Sequence, residues 1–372
     1  MKPFPFALAQ GENLEDLLDS CLAQLGSLPA DANLGFLYAT DQLARQLADL
    51  VSALRQAYPR VHWVGTLGGG ICAGSQEIYE TAAVAVMVGS FPVANFGLLR
   101  ETPRGPVSRM DPPAWLLDAE PLFALLHADP SNPETAVWLQ TLAQHPDRPF
   151  INGGITSSQG AQLQVFDGVI SGGISGVLFG SEVELITDHT QGCSPIGPVH
   201  QLSHSDENLL ISIDERPALE VMREEMGEVL SRDLQRAGGY IFAALPISGS
   251  DSGDYLVRNL IGVDEVSGVI AVGDYLQDQQ HIMFCRRDGN SARQDMQRML
   301  DRLKRRLIGR QIRGGIYVSC LGRGRYQFGP GSEELGMISA SLGPFPLVGF
   351  FANGELYNGR IYGYTGVLTL FL

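Results

Sequence analysis

Lysine is almost missing from this chain: Lys2 and Lys304 are the only two in 372 residues. With 26 basic against 41 acidic side chains, the formal net charge is −15 and the isoelectric point about 4.8. Such a chain is repelled by phosphate backbones, which excludes a general nucleic-acid binder. Cysteine is scarce as well. Cys21, Cys72, Cys193, Cys285 and Cys320 include no pair closer than the 35 positions from Cys285 to Cys320, so a CxxC metal knuckle and a dense disulfide framework are both excluded. This usage fits a reducing cytoplasm. No apolar run approaches the roughly 18 residues that span a bilayer, and the opening MKPFPFALAQ, broken by Pro3 and Pro5, is a poor signal peptide. The expectation is a soluble cytoplasmic protein with neither a membrane nor a nucleic acid as partner.

Enzyme signatures are missing too. A phosphatase loop needs five residues between Cys and Arg, and Cys320 to Arg325 leaves four. The glycines of SCLGRGRYQFG (Ser319–Gly329) are spaced too widely for GxGxxG, and no glycine-rich stretch carries the lysine of a Walker loop. GSDSG (Gly249–Gly253) and GGISG (Gly172–Gly176) miss the serine elbow and read as turns. His200 and His204 come nearest to a metal pair, but VHQLSHSDEN reads as a polar loop. No catalytic or metal site is expected.

What is present is a plan that returns three times: an apolar strand, an amphipathic helix, a strand entering a Gly-rich corner, then a long strand. The first round runs from LGFLYA (Leu34–Ala39) through a helix begun at Asp41, as N-cap, to VGTLGGG and AAVAVMV. The second runs from LFALL (Leu122–Leu126) through PETAVWLQTLAQ to FINGGITSSQG and ISGGISGVLF. The third runs from GIYVSC through SEELGMISASLG to LVGFFANGE and TGVLTLF. Phe36 to Gly65 is 29 positions, Phe123 to Gly153 is 30, and Tyr317 to Gly349 is 32. From Gly153 to Gly349 is 196, so a further divergent round or a large insertion separates the last two. An N-terminal helix capped by Asn13 precedes the rounds. Twelve of the Arg and Lys residues lie between His281 and Pro330, where only three aspartates oppose them. There, Met296, Met299, Leu300, Leu303 and Leu307 form the apolar stripe of a helix whose other face is basic. This face reads as solvated, or as a surface for an acidic partner or an anionic ligand.

Six motifs in order carry a resemblance: GCSPIG (Gly192–Gly197), PALEVMREEM (Pro217–Met226), YLVRNL (Tyr255–Leu260), MFCRRD (Met283–Asp288), SCLGRG (Ser319–Gly324) and GFFANGE (Gly349–Glu355). Together they resemble the FIST family (F-box and intracellular signal transduction proteins), from about residue 30 to 372. The resemblance implies an N-terminal helix over 1–30, a FIST N domain over 31–199 holding two rounds, and a FIST C domain over 200–372 holding the insertion and the third. It implies a bacterial sensory module that binds a small ligand, such as an amino acid or a related anionic metabolite, and signals through a separate histidine kinase or other signalling protein. A subset of relatives binds haem as nitric-oxide sensors. His189, Cys193, Cys320 or Tyr362 would then have to supply the axial ligand. Where relatives carry a histidine before Gly-Tyr-Thr, this chain has Tyr362. A scaffold using the basic helix is the third reading.

The fold expected is α/β, with repeated strand–helix–strand–strand units in mixed, largely antiparallel sheets packed together, helices outside, and two related domains. Within the matched motifs, Arg258 and Asn259, Cys320, Arg323 and Arg325, and Asn353 and Glu355 are the ligand-binding candidates, expected to share one cleft. Arginine forks suit a carboxylate and the acid suits an amino group. The structural alternative is an Arg–Glu pair between rounds.

Overall fold

The computed structural model describes residues 2–101, 122–135, 137–139, 149–231, 234, 239–247 and 254–372. GSDSG and much of the helix expected in the second round lie outside the described residues. The first round opens on β1 (Phe6–Gln10) and α1 (Leu14–Leu25), then β2 (Leu34–Thr40), α2 (Leu47–Ala57) and β3 (His62–Gly68). A hairpin, β4 (Gly70–Ala73) and β5 (Gln76–Tyr79), leads into β6 (Ala83–Gly89). The second round repeats the order: β7 (Phe96–Glu101), β8 (Phe123–Ala128), β9 (Phe150–Ile155), the hairpin β10 (Leu163–Phe166) and β11 (Val169–Ser171), and β12 (Ile174–Phe179). A third begins at β13 (Leu185–Gln191).

There the chain departs into β14 (Cys193–Pro195), β15 (His200–Asp206), β16 (Leu209–Ile213), β17 (Arg216–Pro217) and α3 (Ala218–Ser231). Next come β18 (Ile241–Pro246), β19 (Tyr255–Asp264), β20 (Val269–Val272) and β21 (His281–Arg287). After α4 (Gly289–Arg306) the third round resumes with β22 (Gly314–Cys320), α5 (Glu333–Leu342) and β23 (Leu347–Ala352). It ends with the hairpin β24 (Glu355–Tyr357) and β25 (Arg360–Tyr362), and β26 (Thr365–Phe371). Two compact units result: residues 1–190, 295–361 and 365–372 in one, and 191–294 with 362–364 in the other.

In the larger unit, three six-stranded sheets share one order: β1-β6-β2-β3-β10-β11, β7-β12-β8-β9-β24-β25 and β13-β26-β22-β23-β4-β5. Each has one parallel pair at its centre, β2 with β3, β8 with β9 and β22 with β23, and is otherwise antiparallel. The hairpins are exchanged in a ring. That of the first round completes the third sheet, that of the second completes the first, and that of the third completes the second.

The alternation of the strands explains the packing. Leu34, Phe36 and Tyr38 of β2, Phe123 and Leu125 of β8, and Ile316 and Val318 of β22 point into one shared core. The intervening residues Leu37 and Ala39 meet α1 and α2, while Ala124, Leu126 and Ala128 meet Trp138 and Leu139. The parallel pairs explain the recurring glycines. A Cβ on Gly65, Gly153 or Gly349 would sit 1.7, 1.8 or 1.7 Å from the carbonyl oxygen of Leu37, Leu126 or Tyr317, so no side chain fits at these three equivalent points. Beyond them the corners meet. The Gly69 N–H donates to Ser157 Oγ at 2.9 Å, and the Ser157 hydroxyl donates to the Phe351 carbonyl.

In the smaller unit, β21-β15-β16-β20-β19-β18 form an antiparallel sheet, and the pairing of β18 with β21 closes it. Leu219 and Met222 of α3 pack with Leu210, Ile270 and Phe284 in its core. Three local expectations change. Asp41 opens a 3₁₀ turn rather than α2 and instead accepts from the Gln159 N–H at 2.9 Å. VHQLSHSDEN contains strand β15 and not a loop. The segment 1–30, expected as a helix, also holds β1, paired with β6. Asn13 does cap α1, accepting from Glu15 and Asp16.

Candidate functional site

The SCLGRGR loop leaves the end of β22, and its chemistry is set by a residue that the sequence reading did not single out. Tyr317 and Ser319 stand on the face of β22 toward α5, where Glu334 in the first helical turn is fully buried. The Glu334 carboxylate accepts from Tyr317 Oη at 2.6 Å, Ser319 Oγ at 3.2 Å, Arg323 Nε at 2.8 Å and the Gly324 N–H at 2.8 Å. Arg323 Nη2 lies 2.7 Å from it, with neither side chain exposed. Burial works against the Arg323 charge, but Glu334 outweighs it and raises the guanidinium pKa. Gly324 has a left-handed φ of 48°, and a Cβ there would meet the Tyr79 hydroxyl at 2.1 Å.

Two more carboxyls share this neighbourhood. Glu355, fully buried on β24, accepts from the Thr365 N–H at 3.1 Å and from the Cys320 thiol. Burial pushes its pKa well above the ordinary range, against the opposing pull of the Thr365 N–H and Arg323. Glu77, brought by the exchanged hairpin, is pushed up to about 7 by burial and by the charge of Glu334, although the Tyr79 hydroxyl donates to it at 3.1 Å.

Arg323 and Glu355 therefore fall in one buried cluster, with the half-buried Cys320 beside them. Arg325 lies outside it, paired with Glu80 at 2.5 Å and with its guanidinium 4.5 Å over the Tyr79 ring. Asn353 is exposed, its N–H donating to the Ile155 carbonyl at 2.9 Å. Arg258 and Asn259 belong to the smaller unit, on β19. There Arg258 Nε donates to Asp274 at 2.6 Å, and Asn259 Oδ1 accepts from Tyr364 at 3.3 Å.

An arginine outside the matched motifs stands at the other end of β22, about 23 Å away at the rise of an extended strand. Arg313 lines a cavity of about 600 Å³ with Asn33, Phe91, Val183 and Phe371, and with the acids Asp31, Glu182 and Glu184. Its guanidinium lies 4.5 Å over the Phe4 ring, and Nη2 reaches the Ser90 carbonyl at 3.4 Å. Nε is buried with no hydrogen-bond partner among the described residues. Burial lowers its pKa, and the charge of Asp31 offsets this only in part. The only sequence signal was its place in the basic run.

None of the four haem-ligand candidates lines this cavity. The His189 ring packs 4.2 Å from Tyr357, the Cys193 thiol is hydrogen-bonded with Cys285, Cys320 with Glu355, and Tyr362 is buried. As arranged within each unit, these side chains do not fit an axial-ligand site.

The model of the FIST N domain matches residues 33–216 and that of the FIST C domain residues 218–358. The chain belongs to the FIST family. An uncharacterized protein of Mycobacterium tuberculosis (strain CDC 1551 / Oshkosh) is 28% identical over 342 residues, 88% of each chain. An uncharacterized protein of Mycobacterium bovis (strain ATCC BAA-935 / AF2122/97) is 29% identical over 345 residues, 87% of this chain and 86% of that one. FIST domains are associated with sensory signal transduction. Among the described residues no helix is long and apolar enough to cross a membrane.

Proposed function

We propose that this FIST protein is a cytoplasmic, non-catalytic sensor that binds a small metabolite of amino-acid type and signals through a separate partner, a histidine kinase or another signalling protein. One observation carries the reading: Arg313, a partly buried guanidinium with no ion pair among the described residues and with Nε left without a hydrogen-bond partner there, faces a cavity whose other charges are acids. The ligand's carboxylate takes the guanidinium, its ammonium group takes Asp31, Glu182 or Glu184, and its side chain meets Phe91, Val183 and Phe371. Of the arginines expected to take the carboxylate, Arg323 is neutralised by Glu334, Arg258 is paired with Asp274 and Arg325 with Glu80, so Arg313 takes this role.

Calorimetric titration of the full chain with the twenty amino acids tests the reading. At least one binds saturably, and Arg313→Gln weakens it about ten- to a hundredfold, the loss of one charge-assisted hydrogen bond. No binding by any of the twenty, or equal binding by a folded Arg313→Gln variant, overturns it. Added haem gives no Soret shift that depends on His189, Cys193, Cys320 or Tyr362.

A further inference from the structure

The basic run ends in a second cavity that the proposed function leaves unused. The last turn of α4 and the segment behind it face the C-terminal end of α5 across about 640 Å³. Leu307, Ile312, Leu342, Pro344 and Phe345 supply apolar wall, and the charged residues lining it are Lys304 and Arg310, with no acid among them. Other arginines of α4 are engaged: Arg298 with Asp295, Arg302 with Asp188 and Arg306 with the Thr187 carbonyl. Lys304 and Arg310 are exposed, and among the described residues neither side chain has an acidic partner. Ser341, also in the lining, holds its Oγ buried without a hydrogen-bond partner.

In a chain of net charge −15, an apolar hollow with two uncompensated cations at its mouth is a local reversal of sign. We propose that this cavity binds a small organic anion with an apolar tail, its carboxylate or phosphate held by Lys304 and Arg310 and its tail against Leu307, Ile312 and Phe345. The volume suits a single small molecule, and a few convergent polar groups on an apolar wall are how such sites are built. Lysine and arginine both hold carboxylates and phosphates, so the charged head can be either. The site is separate from the Arg313 cavity and does not depend on it.

The test is calorimetric titration of the full chain with octanoate and octyl phosphate, with acetate and inorganic phosphate as tailless controls. The two tailed anions bind saturably and at least tenfold tighter than the controls. The Lys304→Gln/Arg310→Gln variant weakens them at least tenfold, whereas Arg313→Gln leaves them unchanged. Ser341→Ala lowers affinity for octyl phosphate severalfold without moving the Tm. The proposal is overturned if tailed and tailless anions bind alike, or if the double variant, folded as judged by its Tm, binds octyl phosphate as the parent does. Co-sedimentation with phosphatidylglycerol vesicles without saturable binding of the soluble anions overturns it as well, since the surface would then be a membrane contact.

Discussion

Arg323 and Glu334 form an ion pair with neither side chain exposed, Nη2 standing 2.7 Å from Oε1. The guanidinium comes from a loop and the carboxylate from a helix, and Tyr317, Ser319 and Gly324 saturate the same acid. The pair therefore joins loop, strand and helix at one point.

Removing one partner leaves the other charge buried. Arg323→Met should destabilise the protein by about 3–5 kcal/mol, and Glu334→Gln combined with it, which removes the stranded charge but keeps an acceptor for the Tyr317 hydroxyl and the Gly324 N–H, should recover part of that loss. Urea unfolding of the two variants measures both. A loss below about 1 kcal/mol in the single variant would show that the pair does not hold loop, strand and helix together.

Glu77 should make stability fall as pH rises. Its folded pKa is about 7, above the ordinary value of 4.5, so the folded state holds the proton more tightly. The resulting penalty is absent below about pH 4.5, grows between 4.5 and 7 and is complete above 7. Its size is on the order of 2 kcal/mol after discounting for partial solvent screening. Glu77→Gln should flatten the Tm profile between pH 5 and 8; an unchanged slope would disprove the assignment.

His127 acts at the acid end. Buried in the shared core with Nε2 3.1 Å from the Tyr38 hydroxyl, it is pushed down to about 3 by desolvation. Protonation favours the unfolded chain, where the pKa is near 6.5. The stability present above that value is lost as pH falls toward 3, by on the order of 4 kcal/mol. His127→Gln should shift the acid-unfolding midpoint downward, read by circular dichroism.

Gly153→Ala should be severe, because its Cβ would lie 1.8 Å from the Leu126 carbonyl and the φ is 130°. A cost above about 3 kcal/mol is expected, against almost none for Gly160→Ala, whose site is open. Equal effects in thermal melts would show that the parallel pair can spread to admit a methyl group.

The rounds were legible because their signals are local. Gly65, Gly153 and Gly349 recur where parallel strands touch, and the apolar alternation of Phe36, Phe123 and Tyr317 marks strands anywhere. Glu334 was not legible: an acid in the first turn of SEELGM reads as ordinary dipole chemistry, and only the fold brings Arg323 onto it. Arg258 shows the converse. It sits in a conspicuous motif, yet Asp274 on the same unit accounts for its charge. The ring of exchanged hairpins lay beyond the sequence as well, since Gly349 on β23 pairs with Cys72 on β4, across most of the chain.

That ring makes the protein a closed loop of obligations. A fragment cut between the two family domains, after residue 216, would carry β4 and β5 with no third sheet to join, and its second sheet would end at β9 with a bare edge. Neither half can finish its own sheets, so assembly waits for the C-terminal strands. A change that loosens one hairpin also acts on the sheet of another round, which couples the three rounds mechanically without any dedicated hinge.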